Sequence, residues 1–430
     1  MPGKHRSHCG GTQIFINWCI LLIPVRLALS MEKLRTAVNH IAYKRDHSKL
    51  STLHRVLLPL LSFSSSAYAA ALSFRRYLYL SGYFCKRRLP VPVISVGNIT
   101  WGGNGKTPMV EFIAQWLADC GISPLILTRG YAGGDESKML ARHLLGSRAM
   151  IGVGANRAAT ADRFLKQYGH LESPNFLFEG TWVVQKDNTQ LNPGKIGAVV
   201  LDDGMQHWSL QRDLEIVMVN GLAPWGNCHL IPLGPLREPL TALRRADIAV
   251  IHHANLVSQQ NLRDIELVMR DINDSLPIYF TRMSPSHFFE VGNINSRIPL
   301  VFINGVILLC VSAIGSPNSF VQGMEKVGAV YVDRIDFSDH HMFQTTDIDI
   351  IMTRLRELED KFGSRPVVVV TEKDYDRDPE ILKHLGPFKV LVLCSELQIV
   401  PYRGKTKDSF IKLLKELMMV KWSVENKTKL

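Results

Sequence analysis

Two groups of residues in this chain have the types and spacing for phosphate chemistry. Lys106 and Thr107 close a glycine-rich loop, Gly102-Gly103-Asn104-Gly105, and Asp202 and Asp203 stand side by side ahead of Gly204. Backbone amides freed by glycine can curl around phosphate, a lysine reaches the terminal phosphates, and a threonine hydroxyl holds a divalent cation. Carboxylates are the hard oxygen ligands that Mg²⁺ takes one or two at a time. Each group has a plain alternative. Glycines can precede Lys-Thr by chance, Asp-Asp is an ordinary turn, and His207, four residues after Asp203, can be a hydrogen-bonding loop histidine. Thr100 also stands where the usual phosphate loop begins with glycine, five residues before Gly105.

The flanking elements decide for the phosphate loop. Residues 91–96 are mostly apolar and rich in β-branched side chains, which predicts a buried strand, and an amphipathic segment follows Lys106. Further short apolar strands are expected at 124–127, 150–153, 196–201 and 214–219, with helical segments between. Asp202 and Asp203 then fall at the end of a strand, where a phosphate-loop enzyme keeps its metal carboxylate. A second series is expected at 248–251, 306–311, 329–332, 367–370 and 390–393. Strands alternating with helices imply an α/β fold, a P-loop NTPase-type doubly wound parallel sheet with ligands at the carboxyl ends of the strands. The Gly- and Pro-rich passage from Asn220 suggests a boundary. The expected organisation is an extension over 1–53, a membrane-associated helical segment over 54–90, a nucleotide-binding domain over 91–221, a smaller α/β domain over 222–405, and a C-terminal helix and tail over 406–430.

Charge and cysteine usage narrow the function classes. The formal net charge is +11 over 430 residues. Residues 1–53 hold eight Lys/Arg against two Asp/Glu, so this segment carries more than half of that excess. The body is only mildly basic, which argues against nucleic acid as a partner. Seven dispersed cysteines suggest reduced thiols rather than a disulfide framework or zinc site. A basic, acid-poor start has the profile of an organelle transit peptide, with Met31 as a second possible start and a secretory signal as the rival reading. Residues 56–74 carry no charge and end at Arg75 and Arg76, with Tyr77, Tyr79 and Lys86 close behind. Nineteen such residues could just span a bilayer, but five serines and Pro59 suit a helix at the membrane interface better. A buried core helix is the alternative.

The run 91–108 (VPVISVGNITWGGNGKTP), then LTRGY, LDDGMQHWSLQRDLEIV, GPLREP, FSDHHMF and TEKD, resembles the tetraacyldisaccharide 4′-kinase family over about residues 54–401. Thr100 in place of glycine is itself a habit of that family. The resemblance implies a membrane-associated enzyme of two α/β domains. Such an enzyme transfers the γ-phosphoryl of ATP, with Mg²⁺, to the 4′-hydroxyl of an acylated glucosamine disaccharide 1-phosphate lipid. It assigns Gly102, Gly103, Asn104, Gly105, Lys106 and Thr107 to the nucleotide, and Thr107, Asp202 and Asp203 to the metal. Arg129 of TRGY is expected beside the site, and Asp135 with His340 as a catalytic pair. Only Ala132 and Gly133 separate TRGY from Gly134-Asp135-Glu136, where the family has a longer insert, and Cys228 stands where it has glycine. An added presequence on such an enzyme implies import into mitochondria and association with the inner membrane. Two other readings are a GTP-gated assembly factor and a family member that binds without turnover.

Overall fold

In a computed structural model of the chain, residues 28–44, 52–130, 135–171, 194–339 and 341–427 are described. They divide into two units: residues 74–224 with 238–430, and residues 1–73 with 225–237.

The larger unit is built on β1, Val93–Asn98, all six residues of which are buried. Its neighbours are β4, Ile196–Asp202, and β5, Leu214–Asn220, both parallel to it. A strand buried on both faces must send alternate side chains to opposite layers. Ile94 and Val96 pack with Met109, Ile113 and Leu117 of the helix Lys106–Asp119. Val93 joins Leu125, Leu127, Ala161 and Leu165 on the other face, the last two from the helix Arg157–Tyr168. Beyond β4 lie β2, Ser123–Thr128, and β3, Met150–Val153, again parallel.

The sheet continues past β5 through β6, Ile248–His252, to β7, Ile278–Glu290. The first residues of β7 run parallel to β6, and its remainder pairs antiparallel with β12, Lys389–Ile399. From β12 the parallel pattern resumes through β11, Val367–Thr371, β9, Ile307–Ser312, and β10, Tyr331–Asp336. Here too alternate residues face two layers. Leu309, Val311, Val368 and Val370 meet the helix Thr345–Phe362, while Leu308, Cys310, Val367 and Val369 meet the helix Pro317–Val327.

The expected α/β architecture of parallel strands is therefore present. Two strands were not expected: β7 and its antiparallel hairpin partner β8, Asn293–Pro299. Both interrupt their apolar residues with Ser, Pro, His and Asn, because β8 is largely exposed and the middle of β7 only half-buried. The strand expected at 329–332 begins at Tyr331, after Gly328 caps the preceding helix in a left-handed conformation.

The smaller unit contains the helix Ala28–Tyr43 and the greater part of the helix Thr52–Leu80. Ile41, Leu61 and Leu233 form its buried cluster, and Asn227 Nδ2 donates to the carbonyls of Ile41 and Leu233 at 3.2 and 2.9 Å. Ser65 Oγ donates to Leu230 O at 2.9 Å. The long helix has 29 residues, about 44 Å at 1.5 Å per residue. It is apolar enough to cross a membrane, with a mean hydropathy of 1.5, yet only 11% of that stretch is buried. Val56, Leu60, Phe63 and Phe74 all face outward.

Candidate active site

The phosphate loop leaves the carboxyl end of β1 at Asn98. Gly105 closes it with a left-handed φ of 75° and stands as the N-cap of Lys106–Asp119 without a side-chain cap. Gly105 thus offers no side chain to cap the first-turn amides of that helix, an arrangement that can receive anions. A Cβ on Gly105 would lie 2.6 Å from the His252 ring, so both the conformation and the space demand glycine. Asn104 Nδ2 donates to Thr100 O at 3.2 Å and to its hydroxyl at 3.3 Å, and Asn98 Nδ2 donates to the same carbonyl at 2.6 Å. Thr100 therefore replaces glycine with a hydroxyl that ties the loop internally. Asn220 Nδ2 holds Gly103 O from β5 at 3.2 Å.

The register pairs Val96 with Asp202, so the acidic turn lies directly beside the start of the loop. Lys106 Nζ is 3.6 Å from Asp203 Oδ1, and Asp203 takes a positive φ of 52° at the turn. Asp202 is buried, and its Oδ1 has no hydrogen-bond donor. Burial first, and the negative charge of Glu136 second, push its carboxyl up to about 7, against the opposing pull of Lys106. A buried carboxylate oxygen that receives no donor fits a hard cation, and Thr107, the second residue of the helix after the loop, is buried too. No group of three or more His, Cys, Asp or Glu placed to hold a metal ion exists among the described residues. Mg²⁺ does not need one, since water and phosphate oxygens complete its shell.

The structure brings some of the other expected residues to this edge. Leu127 is level with Leu201 across β2 and β4, so Arg129 follows β2 on the same edge of the sheet, and its charge acts on His207. Asp135 is the first residue of the helix Asp135–His143. Its neighbour Glu136 pairs with Lys373 at 2.9 Å, and both of these charges reach Asp202. His340 lies outside the described residues. Next to it in sequence, Asp339 has its Oδ2 3.2 Å from where a Cβ on Gly315 would stand, and that Cβ would be 2.5 Å from Gly103 N.

Several participants had not been assigned a role from sequence. Arg142 bonds Asp376 at 2.9 and 2.8 Å and Glu372 at 2.9 Å, while His143 meets Glu111 at 2.8 Å and Glu372 at 2.6 Å. Burial disfavours a charged His143, but Glu111 and Glu372 outweigh it and hold the ring up to about 10. This network anchors the far end of the helix that begins at Asp135. The only signal for it in the sequence was the run Thr371-Glu372-Lys373-Asp374, whose carboxylates acquire partners only on folding. His207 has the opposite surroundings: burial, then Arg157, Arg212, Arg75 and Arg129, push it down to about 3. It stays neutral, with Ser209 Oγ 2.9 Å from its Nε2.

A buried acid raised to about 7 makes a pH prediction for the metal-free protein. The unfolded chain releases this proton near pH 4, whereas the folded chain holds it until about pH 7. Asp202 thus costs stability progressively as pH rises through that window, by at most about 1.4 kcal/mol per pH unit. Asp202→Asn should flatten that part of the thermal-denaturation profile in chelator. An unchanged slope would remove the buried acid from the site's electrostatics.

Several known proteins are similar to this chain. The family model for tetraacyldisaccharide-1-P 4′-kinase, LpxK, matches residues 54–415. A probable mitochondrial tetraacyldisaccharide 4′-kinase of Arabidopsis thaliana is 55% identical over 403 residues, covering 92% of this chain and 100% of that one. A tetraacyldisaccharide 4′-kinase of Halothermothrix orenii is 31% identical over 337 residues, covering 75% and 84%. Among solved structures, LpxK of Aquifex aeolicus in complex with ATP has a TM-score of 0.55 at 22% identity, covering 85% of this chain and 100% of its own, and so shares the fold. With the phosphate loop, the acidic turn and a match across most of its length, the chain belongs to the tetraacyldisaccharide 4′-kinase family.

Proposed function

We propose that this protein transfers the γ-phosphoryl of ATP to the 4′-hydroxyl of an acylated glucosamine disaccharide 1-phosphate. The observation that carries the reading is the joint edge of β1 and β4, where an uncapped helix N-terminus, Lys106 and the undonated Asp202 converge. Gly102–Gly105 would wrap the phosphates, and Lys106 would leave Asp203 to neutralise the terminal ones. Thr107 and Asp202, with Asp203 beside them, would hold Mg²⁺, which when bound spreads and neutralises phosphate charge. Arg129 would face the same charge from β2. Asp135 would take the proton of the attacking hydroxyl, assisted by His340. A nucleotide-gated assembly factor is less favoured, since it needs neither a lipid-facing helix nor this family's motifs.

We propose further that residues 91–221 serve the nucleotide and 222–405 close over it as a second domain. The exposed apolar face of Thr52–Leu80 would rest on a bilayer, where the acceptor lipid resides. The basic start, 1–53, would direct the chain to mitochondria and so to the inner membrane, and the name of the Arabidopsis relative supports the compartment. Residues 1–27 and 45–51 of that segment lie outside the described residues.

Three measurements test these proposals. The full chain with ATP, Mg²⁺ and the disaccharide 1-phosphate should give a bisphosphorylated lipid, and Lys106→Ala should abolish it while leaving the melting transition in place. Product from Lys106→Ala at the normal rate would sink the phosphate-loop assignment. Asp135→Ala should lower kcat by roughly 10²–10⁴-fold if the residue is a base. If it only caps its helix, the variant keeps kcat and loses about 1 kcal/mol of stability. Residues 1–53 fused to a fluorescent protein should enter mitochondria; a diffuse cytosolic signal or a secretory one would reject the import reading.

A further inference from the structure

The helix Asp135–His143 has little of its own to fix its orientation. It has nine residues, about 14 Å, and a helix of that length does not hold itself together in water. Met139 and Leu140 are its buried apolar side chains, and Leu140 enters the core that Met109 and Ile113 of the helix Lys106–Asp119 also enter. Apolar contact is non-directional, so it buries a face of the helix without fixing its place along the axis.

Directional bonds converge on its last turn. Arg142 forks onto Asp376, Nε to Oδ1 at 2.9 Å and Nη2 to Oδ2 at 2.8 Å, and Nη2 also donates to Glu372 Oε1 at 2.9 Å. The guanidinium lies 5.3 Å from the centre of the Phe289 ring and 6.0 Å from that of Tyr375. His143 places Nε2 2.6 Å from the same Glu372 oxygen and Nδ1 2.8 Å from Glu111 Oε1. A neutral imidazole has one N–H to give, so a ring held between two carboxylates is the doubly donating cation. Glu372 Oε2 takes the Ser395 amide of β12 at 3.3 Å. Glu372 and Asp376 are both buried, on the short helix Glu372–Arg377.

Three pieces of the molecule thus meet at His143. Glu111 lies four residues after Thr107, one turn into the helix that the phosphate loop opens. Glu372 follows β11 of the second series, and His143 itself closes the helix that begins at Asp135. Near the start of that helix Glu136 pairs with Lys373 at 2.9 Å, and Lys138 Nζ donates to Arg377 O at 3.4 Å. Apolar side chains of equal volume would stabilise such a contact as well as buried ion pairs do. What forked, charge-assisted bonds add is a fixed orientation. That orientation matters here, because misplacing a reacting group by about 1 Å costs roughly 10²-fold in rate. Resting on the kinase reading above and on Asp135 as an acceptor of the hydroxyl proton, we propose that Glu111, His143 and Glu372 are positioning residues. They lock the helix Asp135–His143 to the phosphate-loop helix and so hold Asp135 in a set relation to the transferred phosphoryl.

A network that acts through Asp135 has a kinetic signature that plain stabilisation lacks. The full chain is assayed in neutral detergent micelles with ATP, Mg²⁺ and the disaccharide 1-phosphate, and its melting transition is recorded alongside. His143→Gln and Glu372→Gln should each lower kcat roughly tenfold to a hundredfold, with KM for ATP and for the lipid within about twofold of wild type. Glu111→Gln removes the most exposed of the three carboxylates, so it should fold even where a change at Glu372 does not, and its kcat should fall by about threefold to tenfold. Placed in Asp135→Ala, each substitution should cost no further activity, because residues that act through one group are non-additive. A kcat that falls by the same factor in both backgrounds overturns the proposal while the kinase reading stands. So does a folded set of variants that keeps the wild-type kcat, or one whose losses lie in KM. An Asp135→Ala chain as active as wild type overturns the base assignment and the positioning role with it. A wild-type chain that makes no bisphosphorylated lipid overturns the kinase reading as well.

Discussion

The close approach of two backbones at the carboxyl edge of β1 is the constraint on which the site depends. A Cβ on Gly97 would lie 2.7 Å from the Met205 amide nitrogen, and one on Gly204 would collide with the Ser95 hydroxyl. Only with both side chains missing can the turn after β4 fold over the end of β1. That contact puts Asp203 within reach of Lys106, and it sets Asp202 where no protein donor reaches its Oδ1. The phosphate loop and the acidic turn are thus one structure, although about a hundred residues of chain separate them.

Around that edge the charges are sorted by sign. On one side, Glu111, Glu136, Glu372 and Asp376 are paired with Lys373, Arg142 and His143, which fixes the helix beginning at Asp135 at both of its ends. On the other, Arg75, Arg129, Arg157 and Arg212 surround a neutral His207. Arg157 is almost fully buried and donates to Asp202 O at 3.0 Å, so its charge is spent on holding the acidic turn. Such buried pairs contribute little net stability, because desolvation offsets their attraction, but removing one partner is costly. Their role is geometric: they hold groups from distant parts of the chain in a fixed arrangement.

The sheet supplies the frame for this sorting. Between β6 and β12, β7 changes from a parallel to an antiparallel partner along its own length, so one strand links two doubly wound series. Residues of the second series, including Gly315, Glu372 and Lys373, thereby reach the edge that carries the phosphate loop.

The amino-acid sequence by itself determined the local elements. Apolar runs with β-branched residues are strands wherever they are buried on both faces, and a glycine loop ending in Lys-Thr between strand and helix is recognisable because its conformational demands are local. The Asp202–Asp203 turn was legible for the same reason. The strands β7 and β8 were not, because their exposed, polar stretches break the apolar run without forming a clean alternation. The partners of Glu372, Arg142 and Trp208 were equally hidden. Arg142 and Glu372 are separated by 230 positions, and Lys86 and Trp208 by more than a hundred. Periodicity tells which face of an element is buried, but not what it is buried against. Only the tertiary structure, by aligning β1 with β4 and joining the two series through β7, decided which charges meet and which are compensated.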